Sequence, residues 1–174
     1  GVFVGAGNTV SNTNAAVVAG SGNIVSANAS VALGGQTQDI SGAFSIAAAN
    51  SGATTQITST NCVLLGNTGT VSGPFPKTVS ICNGTAIPSS TGMIMIGTDD
   101  PAVLAGDRSI IIGGTRAGIN RSQVNGADAV AIGGKRPRAV GENAVAIGGA
   151  SNLAAGSNAL VIGGSSLTAS ASQA

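Results

Sequence analysis

Residues 128–164 read DAVAIGGKRPRAVGENAVAIGGASNLAAGSNALVIGG, one seven-residue phrase written three times, with Gly133, Gly148 and Gly163 fifteen residues apart. A repeat this short cannot be a helical one, since helical repeats need roughly thirty residues or more. It has room for two strands of about five residues and two tight corners. Each repeat is therefore expected to form one coil of a parallel β-solenoid.

Followed backwards, the phrase degenerates without vanishing. The residues that close its first strand are Gly5, Gly20, Gly34, Ala49, Gly66, Asn83, Gly97, Gly113, Gly133, Gly148 and Gly163, which makes eleven coils. Their spacings are 15, 14, 15, 17, 17, 14, 16, 20, 15 and 15. Drift confined to loop length is what insertions at a corner produce. The expected architecture is all-β, a single domain over residues 1–174, built of about eleven coils of 14–20 residues.

Composition agrees with a thin core. The 174 residues include 28 Gly and three Phe but no Trp, Tyr or His, and 7% are charged. Periodic Val and Ile separate the chain from disordered sequences of similar polarity. No apolar run approaches the roughly eighteen residues of a membrane span, so this segment is expected not to insert in a bilayer. Because the chain begins at Gly1 without an initiator Met, it reads as a fragment or processed product. Cys62 and Cys82 fall at even and odd offsets from the ends of their strands, so their side chains are expected on opposite faces, as free thiols.

In NAVAIGG, Val145 and Ile147 point one way while Ala144 and Ala146 point the other. Val130, Ile132 and Ile162 repeat the pattern in the flanking copies. Both faces of the strand are thus apolar, as in a strand covered on both sides. One face can line the lumen of the coil. The other needs a partner surface, and self-association is expected to supply it. In the second strand of each coil, Val10, Val25, Val71 and Leu153, five residues after the closing residue, and Ile40, Val103 and Ile119, six after, are expected to complete the lumen.

Chemistry-bearing motifs are few. VFVGAGNTV begins like a dinucleotide-binding loop, but Val10 stands where the third glycine belongs. The hexapeptide β-helix of acyltransferases has a period of eighteen and uses a histidine, which this chain lacks. No Cys or His cluster offers a transition-metal site, and Asp99 and Asp100 in TDDP read as turn residues. No catalytic residue, cofactor or metal is expected. Threonines do not fall in register from coil to coil, which ranks ice binding low. The bases Arg116, Arg121, Lys135, Arg136 and Arg138 lie in a region of mixed charge that reads first as a solvated face. The alternative is a patch for an acidic glycan or matrix protein rather than nucleic acid, with the longest excursion, 115–127, as its elaborated loop.

At DAVAIGG, NAVAIGG and NALVIGG, with the linking ASNLAAGS, the chain resembles the head repeat of trimeric autotransporter adhesins of the YadA type. The strict matches cover 128–165 and degenerate ones the rest. The resemblance implies a homotrimer of left-handed parallel β-rolls, displayed extracellularly at the outer membrane of a Gram-negative bacterium. Such heads attach cells to host matrix proteins or surface receptors, a virulence function. The neck motif, stalk and anchor of that family do not occur in these residues. A receptor-binding or structural segment of a trimeric virus or phage fibre is the alternative context, and a ligand-free fibre spacer a third.

Overall fold

The computed structural model describes residues 5–48, 55–66, 70–71, 76–81, 91–97, 103–104, 106–113 and 122–172. These contain strands and corners but no helix. Two compact units divide the chain, 1–87 and 88–174. In the first, the strands are β1 (Thr9–Val10), β2 (Ala16–Val18), β3 (Ile24–Val25), β4 (Val31–Leu33), β5 (Gln38–Ile40), β6 (Ile46–Ala48), β7 (Thr55–Ile57), β8 (Val63–Leu65), β9 (Thr70–Val71) and β10 (Val79–Ile81). In the second they are β11 (Ile94–Ile96), β12 (Val103–Leu104), β13 (Ile110–Ile112), β14 (Gln123–Val124), β15 (Val130–Ile132), β16 (Arg138–Ala139), β17 (Val145–Ile147), β18 (Leu153–Ala154), β19 (Leu160–Ile162) and β20 (Thr168–Ala169).

Each unit is a parallel β-solenoid with two sheets. In the first unit the odd strands stack as β1-β3-β5-β7-β9 and the even ones from β2 to β10. In the second, β11-β13-β15-β17-β19 form one sheet and β12-β14-β16-β18-β20 the other. Every residue of a rung lies beside its homologue one coil away, as in Val130↔Val145↔Leu160 and Arg138↔Leu153↔Thr168. The strands are shorter than expected, mostly three residues in one sheet and two in the other. The corners use the difference, because stacked chains turn there with their own hydrogen bonds.

Register corrects the coil boundaries. β2, β4 and β6 begin at Ala16, Val31 and Ile46, which are paired in sequence, so the first coils repeat at fifteen throughout. The spacing of 14 arose because Gly20 was aligned with Gly34. In the structure Ala19, at φ 62°, takes the role of Gly34 at φ 65°, and Gly20 that of Gly35. Counting from the residue that truly closes the strand, the lumen residue of the second sheet falls six later: Val25, Ile40, Ala139 and Ala154, all at 0% exposure. Leu153 is consequently one position out and points away from the lumen, because a one-residue slip on a strand reverses the face. In the register of β12 and β14, Val103 lies beside Gln123 and Leu104 beside Val124. In the coil closed by Gly113 the second strand is β14, so the extra residues of the long excursion precede it and Ile119 is not in it. Val10 packs against the first unit's core as expected.

The lumen is narrow. In the sheets from β2 to β10 and from β11 to β19 the middle residue of each strand points into it: Val17, Ala32, Ala47, Leu64 and Ser80 in the first unit, and Met95, Ile111, Ala131, Ala146 and Val161 in the second, none more than 5% exposed. Opposite Ala32 and Ala47 stand the larger Ile40 and Ile57, while the strict coils set Ala131 and Ala146 with Ala139 and Ala154. Polar side chains are buried at the corners, where they serve backbone groups. Asn8 Nδ2 donates to the Gly20 carbonyl at 3.0 Å, and its Oδ1 accepts from the Asn23 amide at 3.0 Å. Asn152 does the same in the second unit, with its Oδ1 accepting from the Leu167 amide at 3.1 Å. At the other corner Ser30 Oγ donates to the Gly42 carbonyl (3.0 Å) and accepts from the Ser45 amide (3.1 Å), so neighbouring coils share one hydroxyl.

Two kinds of corner glycine behave differently. Gly148 has φ +64° and nothing within 4 Å of a built Cβ, so only its left-handed backbone is at issue. Gly141 has an ordinary φ, but its Cβ would lie 2.1 Å from the carbonyl oxygen of Gly156 in the next coil. Gly148→Ala is expected to cost about 1 kcal/mol, in line with the alanine already present at position 19. Gly141→Ala should cost about 3 kcal/mol or more, because backbone must move. Urea melts of the two variants check the order, and equal losses would refute the distinction.

Candidate functional site

In one sheet of each unit, alternation sends the first and third residues of every strand outward. In the sheet running from β2 to β10 these are Ala16 and Val18, Val31 and Leu33, Ile46 and Ala48, Val63 and Leu65, and Val79 and Ile81. In the sheet from β11 to β19 they are Ile94 and Ile96, Ile110 and Ile112, Val130 and Ile132, Val145 and Ile147, and Leu160 and Ile162. Every one is Ala, Val, Leu or Ile. Leu33 is 40% exposed, Leu160 51% and Ile162 62%. The other sheet differs, its outward side chains including Thr9, Ile24, Asp39 and Gln56 in the first unit and Gln123, Arg138, Leu153 and Thr168 in the second. One sheet of each unit is therefore aliphatic on its outer face, and the other is mixed and largely polar. Continuous apolar surface of this kind marks an interaction site in soluble proteins.

The structure divides the residues singled out for core and association into two groups. Ala144 and Ala146 lie at 0% exposure. Val145, Ile147, Val130 and Ile132 are half-buried on the outer face, and Ile162 is exposed there. Sequence alternation left open which set took the lumen. At the first two strict copies alanine takes the inside on both walls, Ala131 and Ala146 with Ala139 and Ala154, and in the third Val161 faces in.

Among the basic residues, Arg116 and Arg121 lie outside the described residues, as do Asp99, Asp100, Cys82, Ala49, Asn83, Ile119 and the first strand, 2–4. Lys135 is exposed at a corner, Arg136 is half-buried beside it, and Arg138 opens β16. Arg138 Nε donates to Gln123 Oε1 at 2.8 Å across the sheet. Sequence reading missed both this contact and the ion pair between Arg108 and Asp128, in which Arg108 Nε donates to Asp128 Oδ1 at 2.7 Å. The signal was present: Arg108 and Asp128 each stand two residues before a three-residue strand, hence at one corner of adjacent coils. Asp128's carboxyl is held below its ordinary value by the hydrogen bond from Arg108, whose own pKa the carboxylate raises. Any stabilisation from the pair is lost as pH falls through that lowered value. Side chains 64% and 38% exposed leave it solvated and of small weight.

No family model matches the chain, and no curated protein does.

Cys62 extends the buried corner ladder of Ser30 and Ser45, its amide donating to Ser45 Oγ at 3.1 Å. Its Sγ donates to the Thr60 carbonyl at 3.5 Å, and the residue lies at 0% exposure. Burial pushes its pKa up, and hydrogen bonds with the Thr78 and Lys77 backbone partly offset this. The folded state therefore holds the thiol proton more firmly than the unfolded chain. That contribution is present below the ordinary thiol range and lost as pH rises through the raised value. In a Cys82→Ser background, Cys62 is expected to react with an aromatic disulfide reagent at pH 8 at least a hundredfold slower than in denaturant; comparable rates would show that the ladder opens readily.

Proposed function

We propose that the protein is a non-enzymatic attachment module in which three copies associate through their aliphatic sheet faces and bind a host surface multivalently through what remains outside. The observation that carries this reading is the purely aliphatic outer face of one sheet in each unit beside a largely polar second sheet. A surface with such a strict pitch, one rung about every 4.8 Å, is matched best by another surface of the same pitch. A second copy of this chain provides one. The resemblance of the strict coils to autotransporter adhesin heads supports three copies, a left-handed roll, and display outside a bacterial outer membrane. A small-molecule pocket is not needed, because an extended rigid array can gain affinity by repeating weak contacts.

The test is the mass of the native particle, followed by the same measurement on Ile132→Lys/Ile147→Lys. A strand-rich species near three times 16.4 kDa is expected for the natural sequence, and smaller or aggregating species for the variant. Burying two unpaired ammonium groups per chain costs several kcal/mol each. A folded single-chain particle would refute the association. At equal chain concentration, binding to matrix-coated surfaces should fall at least a hundredfold for a soluble, dissociated variant. No binding by the intact particle to matrix or cells would leave a structural spacer as its role.

A further inference from the structure

Among the described residues of the second unit, charge is sorted by corner. The corner before the three-residue strands carries Asp107, Arg108, Asp128 and Glu142, where Arg108 is paired with Asp128. The corner after them carries Lys135 and Arg136, with Arg138 two residues on. Among the described residues, these three bases form no ion pair. Their neighbours in register are neutral: Lys135 lies beside Ala150 and then Ser165, and Arg138 lies between Gln123 and Leu153. Three cations thus stand within four residues of one corner, with no described counter-charge beside them.

The backbone that presents them is fixed. The Lys135 amide donates to the Gly149 carbonyl at 2.9 Å, and its carbonyl accepts from the Ser151 amide at 2.7 Å. The Arg138 amide donates to the Asn152 carbonyl at 3.0 Å, and the Pro137 carbonyl accepts from the Gln123 amide at 3.0 Å. Arg136 has φ 63°, and Pro137 behind it is buried. Its Nε is enclosed with no acceptor. Cations carried on a fixed backbone at an open corner fit a linear polyanion that spans several contacts.

We infer that the 135–138 corner binds a sulfated polysaccharide; this names the partner of the attachment module proposed above and rests on that reading for its avidity. Nucleic acid is the other polyanion, but single-stranded binding relies on aromatic platforms. The chain's three phenylalanines, at 3, 44 and 75, all belong to the first unit. Flanking serines 151, 165 and 166 suit sugar hydroxyls and sulfates instead.

The experiment uses the full chain, immobilised heparin and fully desulfated heparin, with single-stranded DNA as competitor. The variant Lys135→Ser/Arg136→Ser/Arg138→Thr puts into this coil the residues that 165, 166 and 168 already hold at the same register, so folding should survive. Circular dichroism and particle mass verify that it does. Heparin affinity at low salt is expected to fall at least tenfold in the variant, to be weak for the desulfated polymer, and to decline steeply with salt. Arg108→Ser, which removes a paired base at the opposite corner, should leave it within twofold. Equal heparin binding by the triple variant and the natural chain overturns the site. An equal loss in Arg108→Ser reduces the effect to net charge and overturns it as well, and so does DNA competing better than soluble heparin. A particle of single-chain mass that binds heparin through these residues keeps the site and refutes the three-copy reading. A three-copy particle indifferent to heparin does the reverse.

Discussion

The register of the parallel ladder governs the rest of the structure. Once Val130 is held beside Val145 and Leu160, every other residue of the coil is forced to lie over its homologue. Each position of the repeat then sees its own kind at about 4.8 Å. A position that faces a neighbour's backbone must be nearly free of side chain in successive coils, which is why Gly126, Gly141 and Gly156 stack with carbonyls 1.8–2.1 Å from any built Cβ. A buried position with one spare amide must offer a hydroxyl or amide every time, as Ser30 and Ser45 do, and Asn8 and Asn23. The repeat is conservative for a geometric reason: an error in one coil is passed directly to the next.

That constraint also explains what could be read from the sequence. The fold class and the spacing of fifteen follow from the glycines, because glycine at a corner is visible without any knowledge of the turn. The lumen could be assigned only by counting from the true end of the strand. Two glycines in succession, as at 148 and 149, perform different tasks: the first has only a left-handed backbone to accommodate, the second also approaches the next coil's backbone and Asn152 closely. Where one of them is replaced, as by Ala19, the pattern gives no sign of which remains. Counting five residues where the ladder needs six misplaced Leu153, since alternate residues face opposite ways. At 115–127 the insertion itself concealed β14, because a two-residue strand of Gln and Val has no hydrophobic run to announce it.

The candidate site was half legible. That two apolar faces exist is plain from NAVAIGG, and their opposite directions follow from the pleat. Their assignment depends on the separation of the two sheets, a tertiary quantity set by corners of only a few residues. With alanine on both walls, as at Ala131 and Ala139, the lumen holds no larger pair. In these coils Val and Ile face outward, and an aliphatic outer face accompanies a thin interior. The basic corner lay in the sequence as KRPR, but its isolation did not. The acids nearest in sequence, Asp128 and Glu142, belong to the opposite corner.

These features bear on how the chain stabilises itself. Fixing the fifteen backbones of a strict coil costs about 15 kcal/mol or more. Inward alanines recover little against this, since each offers one methyl worth about 0.8 kcal/mol. The larger apolar groups, Val145 and Ile147 among them, stay half-buried on the outside, where each has about 1 kcal/mol still to gain from full cover. A coil that stores more hydrophobic surface outside than inside is an uncommon arrangement for a solitary chain. It is a natural one where folding and association are a single process, for then the outer face of one copy is the interior of the assembly. On that reading the alanine lumen and the aliphatic exterior are two parts of one core. On the same reading the polar sheet and the corners make the outer surface, and it is at a corner that the bases 135–138 are found.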